Sequence, residues 1–200
     1  MKTVFFDIDT QIDFMFPAGA LYVPGAERLL PNIERLNRFA VEHGIPVVST
    51  MCSHSENDDE FKDWPPHCVA GTTGQLKPCS TLVGKTTVAP NRPIDVNIAG
   101  AQQIILEKAK LDLFTNPNIH QLLGKLQADH YVVYGVVTEY CVKCASMGLL
   151  GMGKPVTLIN DAIETLNPKD SDAMLAEFTK RGGVVRSAQN YCQADGFPAA

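Results

Sequence analysis

Apolar runs and amphipathic stretches alternate along the chain from its first residues. Runs rich in Val and Ile are typical of buried strands, and we predict strands at 2–8, 45–51, 101–108, 130–136, 155–161 and 183–188. Apolar residues at helical spacing predict helices between Gly25 and Gly44 and at 118–127, 138–153 and 168–182. Because strands that alternate with helices form parallel sheets covered on both faces, the pattern predicts an α/β fold.

Two segments interrupt this alternation. Residues 52–80 are polar, rich in Gly and Pro, and contain the only Trp, which predicts a long functional loop. Residues 81–91 are compatible with either a short hairpin or an excursion from the fold. We expect a single domain spanning residues 1–200, with an active-site loop at 52–80 and an excursion near 81–98.

Composition and charge narrow the class of protein. Hydrophobic residues make up 45% and charged residues 20%, which is ordinary for a soluble domain, and the net charge is −5. A nucleic-acid or anionic-membrane partner would call for a basic face. No apolar run reaches the ~18 residues of a spanning helix, and acids interrupt the first apolar stretch, unlike a secretory signal. We therefore expect a cytoplasmic protein with no nucleic-acid and no membrane partner.

The chain contains six cysteines, at positions 52, 68, 79, 141, 144 and 192. Their spacing is irregular and the chain is long for a small disulfide scaffold. The segment CVKC, residues 141–144, is formally a CxxC in a predicted helix. It is either a redox or zinc pair or, like the other cysteines, a set of small buried side chains in a reducing compartment.

Chemically capable residues stand at the ends of the predicted strands, where open parallel sheets bind ligands. Asp9 follows the first strand, Lys108 ends the third, and Cys141 begins the helix after the fourth. A helix N-terminus stabilises a thiolate and offers free N–H groups to an anion. Asp9 is then a candidate base for the thiol, and Lys108 a candidate partner of both. Alternatively, Cys141 lies in the core, Asp9 caps a turn and Lys108 is solvated.

Three motifs together resemble the isochorismatase-like cysteine hydrolase superfamily, and especially its nicotinamidase (pyrazinamidase)-like branch. They are DTQIDF at 9–14, WPPHC at 64–68 and GVVTEYCV at 135–142. The resemblance extends from the first predicted strand to the last. It implies a three-layer, Rossmann-like fold with a six-stranded, mostly parallel sheet and helices on both faces. It also implies a hydrolase with an Asp–Lys–Cys triad, a small-molecule substrate and a homo-oligomeric state.

The resemblance assigns the triad to Asp9, Cys141 and one of two lysines. Lys85 lies in VGKTT, and Lys108 ends the stronger strand QQIILEK. We prefer Lys108, because Phe114 and a helix carrying Leu-Leu follow it as in the family pattern.

The family reaction would make the cysteine a nucleophile on a small amide, with nicotinamide the leading candidate and a thioester as the intermediate. The family places the oxyanion hole at the backbone N–H groups of Val137 and Cys141, after a cis peptide bond at Val136–Val137. Phe14, Trp64 and Tyr140 correspond to an aromatic substrate pocket that favours a flat ring. Two alternatives stay open: a metal-free hydrolase acting on another small amide or a vinyl ether, and a non-catalytic binding protein.

The resemblance also implies a divalent metal, held in nicotinamidases by Asp-x-His and by the His of the WPxHC motif. Here the corresponding residues are Cys52, His54 and His67, so a cysteine replaces the aspartate. Thiolate and imidazole ligands favour zinc. The alternatives are two loop histidines without a metal, or replacement ligands at Asp58 and Asp59.

Overall fold

The computed structural model describes residues 1–193, and one sheet of seven strands runs through it. The strands are β1 (Thr3–Ile8), β2 (Val47–Cys52), β3 (Thr86–Ala89), β4 (Gln103–Lys108), β5 (His130–Val136), β6 (Val156–Glu164) and β7 (Val184–Arg186). Their order across the sheet is β3-β4-β2-β1-β5-β6-β7, and every neighbouring pair is parallel. The predicted α/β class is confirmed, although the sheet has seven strands rather than the expected six.

Helices cover both faces of this sheet. They are α1 (Ile12–Met15), α2 (Leu30–Glu42), α3 (Ile119–Leu126), α4 (Lys143–Gly151), α5 (Pro168–Lys180) and α6 (Ala188–Gln193). Successive side chains of a strand point to opposite faces. Phe5 accordingly packs in one apolar core with α2 and α6, whereas Val4 and Phe6 pack in the other with α3, α4 and α5. Within residues 1–193, no helix has the length and apolarity that a membrane crossing needs.

The pattern missed one strand and two short helices. The segment 81–91, interpreted as a hairpin or an excursion, contains β3, which pairs in parallel with β4 at the edge of the sheet. Three of its four residues are at least partly exposed, so it lacks the continuous apolar run that marks the central strands. Helices α1 and α6 are too short to show a helical period in the sequence.

After Cys52, which ends β2, the long segment 52–80 contains short 3₁₀ turns and an isolated parallel bridge between His54 and Val69. The start of the chain holds this segment in place. The side chain of Gln11 donates to the carbonyls of Cys52 and Gln75, at 2.9 and 2.8 Å, and accepts from the Cys52 N–H at 2.7 Å. The Asp13 carboxylate accepts from the Cys68 N–H at 2.7 Å. The DTQIDF motif therefore anchors this segment beside the carboxyl end of the sheet.

Candidate active site

Three buried side chains from three strand ends meet at the carboxyl edge of the sheet. Asp9 follows β1, Lys108 ends β4, and Cys141 lies in a π-helical turn, Thr138–Val142, between β5 and α4. The Lys108 Nζ lies 2.8 Å from Asp9 Oδ2 and 3.6 Å from Cys141 Sγ. Asp9 is 1% exposed, Lys108 0% and Cys141 8%. The structure thus brings together the three residues expected to form the triad.

Lys85, the other lysine considered for the triad, lies elsewhere. It is exposed just before β3 and forms no ion pair in the part of the chain that the structure describes. Lys108, by contrast, is enclosed, and its ammonium also donates to the carbonyl of Lys110 at 3.0 Å. The geometry favours Lys108 as the partner of Asp9.

The backbone and side chain of Asp9 are both held by β2. Its N–H donates to Thr50 Oγ1 at 3.0 Å, and its Oδ1 accepts from the Thr50 hydroxyl at 2.6 Å. The φ of Asp9 is 49°, a left-handed conformation that non-glycine residues rarely adopt and that occurs at functional sites. One carboxylate oxygen is therefore fixed by Thr50, and the other faces the ammonium.

Burial and neighbouring charges shift the pKa values of Cys141 and Lys108. Burial raises the pKa of the Cys141 thiol well above its ordinary value, because the nearby Lys108 ammonium lowers it less than burial and Asp9 together raise it. Burial by itself would lower the pKa of Lys108, but Asp9 and the neighbouring thiols raise it well above its ordinary value. Burial therefore opposes the thiolate that a helix N-terminus favours.

A mainly apolar pocket opens beside the Cys141 thiol. Its lining residues are Asp9, Phe14, Leu21, Val23, Cys52, Glu60, Trp64, His67, Leu111, Val136, Val137, Tyr140, Cys141 and Leu166. The rings of Trp64 and Tyr140 meet edge to face with centroids 5.3 Å apart. All three aromatic residues expected at a substrate pocket therefore line this one. The Val136–Val137 peptide bond is cis, as the resemblance implies.

A second cluster, of the three residues Cys52, His54 and His67, has the composition of a metal centre. Their ligand atoms all lie within 4.8 Å of one another, and all three side chains are buried. The Nδ1–H of His67 donates to the Pro65 carbonyl at 2.8 Å, and Nδ1 of His54 lies 3.2 Å from Asp58 Oδ2. Metal-bound histidines are usually held in this way through their second nitrogen.

The ring nitrogens of His54 support the same interpretation. Both are buried and lack a hydrogen bond within residues 1–193, although buried polar atoms normally have one. Nδ1 lies near the Asp58 carboxylate, and Nε2 is available to a metal. Burial and the charge of Asp9 raise the pKa of the Cys52 thiol to about 12, so a metal would have to displace its proton. Asp58 supports His54 from behind, and Asp59 is an exposed partner of Lys62. The Cys-His-His donor set fits zinc.

The CVKC segment does not form a disulfide. All six cysteines lie in the described part of the chain and are free. Cys141 is buried in the site, whereas Cys144 is only half buried, one turn further along. Of the two, only Cys141 lines the pocket.

The sequence pattern missed two sets of residues around the site. Asp7 forms a second buried ion pair with Lys77, whose Nζ lies 3.1 Å from Asp7 Oδ2. The one signal in the sequence was an acid inside the apolar run of β1, because a buried charge requires a partner. Glu139 holds a loop at the pocket, and nothing in its local sequence indicates this role.

Comparisons with known proteins agree on the fold and the family. The model of the "Isochorismatase domain" family matches residues 3–190. The nicotinamidase of Escherichia coli K12 is 25% identical over 217 aligned residues, which cover 94% of this chain and 96% of that protein. N-carbamoylsarcosine amidase of an Arthrobacter species is 26% identical, over 88% of this chain and 65% of that protein. The structure of Pyrococcus horikoshii pyrazinamidase in complex with zinc superposes with a TM-score of 0.78 at 26% identity, over 94% and 99% of the two chains.

Proposed function

From the premise that this chain belongs to the isochorismatase domain family and is a hydrolase of that family, we propose that it cleaves a small amide through Cys141. The proposed substrate is nicotinamide, and the products are nicotinate and ammonia. The observation that carries the proposal is the contact of Lys108 with both Asp9 and Cys141, at 2.8 and 3.6 Å, beside an apolar pocket.

Asp9 is the proposed general base. The Cys141 thiol passes its proton to the Asp9 carboxylate as its sulfur attacks the amide carbonyl carbon. Lys108 stays protonated, holds Asp9 and stabilises the negative charge as it develops on sulfur. Because burial raises the pKa of the thiol, proton transfer to Asp9 accompanies the attack of the sulfur on its electrophile.

The remaining steps return the enzyme to its starting state. The tetrahedral intermediate carries its charge on the former carbonyl oxygen, which the N–H groups of Val137 and Cys141 are proposed to bind. Protonated Asp9 gives its proton to the leaving nitrogen, the C–N bond breaks, and ammonia departs from a thioester on Cys141. Water, deprotonated by Asp9, then attacks the thioester carbonyl carbon. The C–S bond breaks, the acid is released, and Asp9 returns the proton to the Cys141 sulfur.

The pocket suits a flat ring. Phe14, Trp64 and Tyr140 contribute aromatic surface, and Leu21 and Val23 contribute aliphatic surface. This supports an aromatic amide such as nicotinamide. We also propose that the enzyme acts in the cytoplasm, as its composition indicates, and that it is a homo-oligomer, as the sequence resemblance implies.

Cys52, His54 and His67 are the proposed ligands of one divalent metal, with zinc favoured by their sulfur and nitrogen donors. When bound, the ion would supply a Lewis acid at the wall of the pocket. The chain's own contribution is to present Cys52 and His67 at that wall and to keep His54 oriented through Asp58.

A second candidate function is hydrolysis of a different small amide. Two observations favour it: a cysteine stands where nicotinamidases have a metal-binding aspartate, and the chain is 26% identical to an N-carbamoylsarcosine amidase. Vinyl-ether hydrolysis and a non-catalytic binding role are the remaining alternatives, and the complete trio of Asp9, Lys108 and Cys141 speaks against a binding role.

The test is ammonia release from nicotinamide by the purified protein, with Cys141→Ala alongside and the metal content of the same sample measured. Release that requires Cys141 supports the nicotinamidase proposal. No release from nicotinamide, together with Cys141-dependent release from another amide, would replace the substrate and keep the mechanism. Equal release by both proteins would refute the cysteine mechanism.

A further inference from the structure

One wall of the pocket comes from the loop between β6 and α5. Leu166 lies in this loop and lines the pocket together with Tyr140 and Cys141. It is 39% exposed, so part of its apolar surface is free to contact a ligand. Its position at the edge of the pocket suits contact with a substrate.

The loop is fastened to the segment that carries the nucleophile. The Glu139 carboxylate accepts three hydrogen bonds from Thr165–Asn167: the Thr165 hydroxyl at 2.7 Å, the Leu166 N–H at 3.0 Å and the Asn167 N–H at 2.7 Å. Glu139 itself is nearly buried and stands two residues before Cys141. The Thr138 hydroxyl adds a bond to the Glu164 carbonyl at 2.8 Å.

These hydrogen bonds tie Leu166 to the turn that carries the nucleophile. Hydrogen bonds to a buried carboxylate are stronger than those between neutral groups. The loop therefore cannot move away from this turn without breaking bonds to Glu139, and Leu166 stays at the wall of the pocket that Cys141 also lines.

We propose that Leu166 sets the size limit of the substrate and that Glu139 is the positioning residue that holds Leu166 in place. The inference rests on the proposed function, in which Cys141 is the nucleophile. It specifies the substrate class as compact amides, with those that carry an added apolar substituent excluded by the Leu166 side chain.

The first test measures access to Cys141 without any substrate. Iodoacetamide and its bulkier N-phenyl derivative alkylate the thiol, and peptide mass spectrometry gives the rate at Cys141 alone. The measured quantity is the alkylation rate of the bulky reagent divided by that of iodoacetamide. Leu166→Ala should raise this ratio at least about fivefold, since removal of a few methylenes from a pocket changes its size discrimination by this order. Val184→Ala is the matched control, because Val184 is 40% exposed and distant from the pocket, and its ratio should equal that of the wild type.

The second test separates positioning from mere structural support. Glu139→Gln keeps the oxygen that accepts both backbone N–H groups, and its amide can donate to the Thr165 hydroxyl, so the ratio should stay near that of the wild type. Glu139→Ala removes all three bonds and should raise the ratio as Leu166→Ala does. Equal ratios in Glu139→Ala and the wild type would overturn the positioning role. If Glu139→Ala does not fold, Thr165→Val, which removes one of the three bonds, should raise the ratio by a smaller factor, and an unchanged ratio would overturn the role.

A third measurement uses turnover and distinguishes the two proposals. Leu166→Ala should lower KM for a ring-methylated nicotinamide at least about threefold relative to nicotinamide, as one methyl group permits. If neither amide is hydrolysed but the alkylation ratio changes as expected, nicotinamide hydrolysis is refuted and the size limit holds. If nicotinamide is hydrolysed and Leu166→Ala leaves both the alkylation ratio and the relative KM unchanged, the size limit is refuted alone.

Discussion

Two buried Asp–Lys ion pairs have their aspartates in or directly after β1, and the groups around the two pairs differ. Asp7 is enclosed by oxygen and nitrogen partners: Lys77 at 3.1 Å and the hydroxyls of Thr10 and Ser49 at 2.8 and 3.0 Å. Lys77 in turn donates to Thr10 Oγ1 at 2.7 Å.

The Asp9–Lys108 pair differs because its ammonium contacts sulfur atoms. The Lys108 ammonium reaches two sulfur atoms, Cys52 Sγ at 3.2 Å and Cys141 Sγ at 3.6 Å, and Asp9 lines the pocket. Thiols are weak hydrogen-bond acceptors, so they satisfy a buried ammonium less well than oxygen does. A buried charge with a full set of partners has a fixed position, and removal of one partner destabilises the fold. A charged pair that faces a thiol and a pocket is available for chemistry.

The largest expected effect is on the nucleophile. Cys141→Ala should lower kcat at least about 10⁴-fold, because no other group can form the thioester. Cys144→Ala is the matched control and should keep full activity, since its side chain does not line the pocket. Steady-state kinetics and thermal unfolding of both variants provide the measurement. Substantial activity in Cys141→Ala would show that this cysteine is not the nucleophile. The Asp9–Lys108 pair would then have no chemical role to distinguish it from the Asp7–Lys77 pair.

The lysines test the comparison directly. Lys108→Met and Lys77→Met each leave a buried carboxylate unpaired and should each lower the free energy of unfolding by about 3–5 kcal/mol. Only Lys108→Met should also lower kcat of the folded enzyme, at least about 10³-fold, as removal of a catalytic group does. Urea unfolding and kinetics at low temperature separate the two effects. Lys85 is exposed, so Lys85→Ala should change neither the free energy of unfolding nor kcat. Loss of activity in Lys85→Ala together with wild-type activity in Lys108→Met would reverse the lysine assignment.

His130 is, like Asp7, a buried group that does not line the pocket. Burial and nearby Arg186 lower its pKa to about 4, and its Nε2 lies 2.9 Å from Thr157 Oγ1. Between pH 6.5 and 4 the unfolded chain binds a proton at this site and the folded chain does not. Stability is therefore lost as the pH falls through this window, by up to about 3 kcal/mol.

The measurement is the free energy of unfolding as a function of pH. His130→Gln should flatten the curve between pH 6.5 and 4, while His120→Gln, at an exposed histidine, should leave its slope unchanged. An equal slope in the wild type and in His130→Gln would show that this enclosed group does not control acid stability.

The smallest expected effect concerns the thiol that faces the pocket without being the nucleophile. Cys52→Ser should weaken zinc binding at least about tenfold, because a hydroxyl is a poorer zinc ligand than a thiolate. It should also abolish the thiolate-to-metal charge-transfer band of the cobalt-substituted protein. Asp59→Asn, at an exposed aspartate paired with Lys62, is the control. An unchanged zinc affinity together with a retained band would remove Cys52 from the metal centre.

Local pattern predicted the central strands and the positions of Asp9, Lys108 and Cys141, for a simple reason. Strands that alternate with helices run in parallel, so their carboxyl ends share one edge, and residues just after them become neighbours. The edge strand β3 was not predicted because most of its residues are at least partly exposed and show no regular spacing of apolar residues. The local sequence places Cys141 at the start of a helix, which favours a thiolate, whereas the burial that raises the pKa of its thiol depends on tertiary packing.

The sequence by itself determined the α/β class, the family and the identity of the chemical groups at the sheet edge, because these depend on periodicity and on short motifs. The tertiary structure alone decided which charges are enclosed and which face the pocket. Lys77 reaches Asp7 across 70 positions, and Glu139 reaches Leu166 across 27. Such contacts depend on how loops pack over the strand ends. The same carboxylate is a structural anchor at Asp7 and a candidate base at Asp9 because packing surrounds the first with oxygen and nitrogen partners and leaves the second beside a thiol.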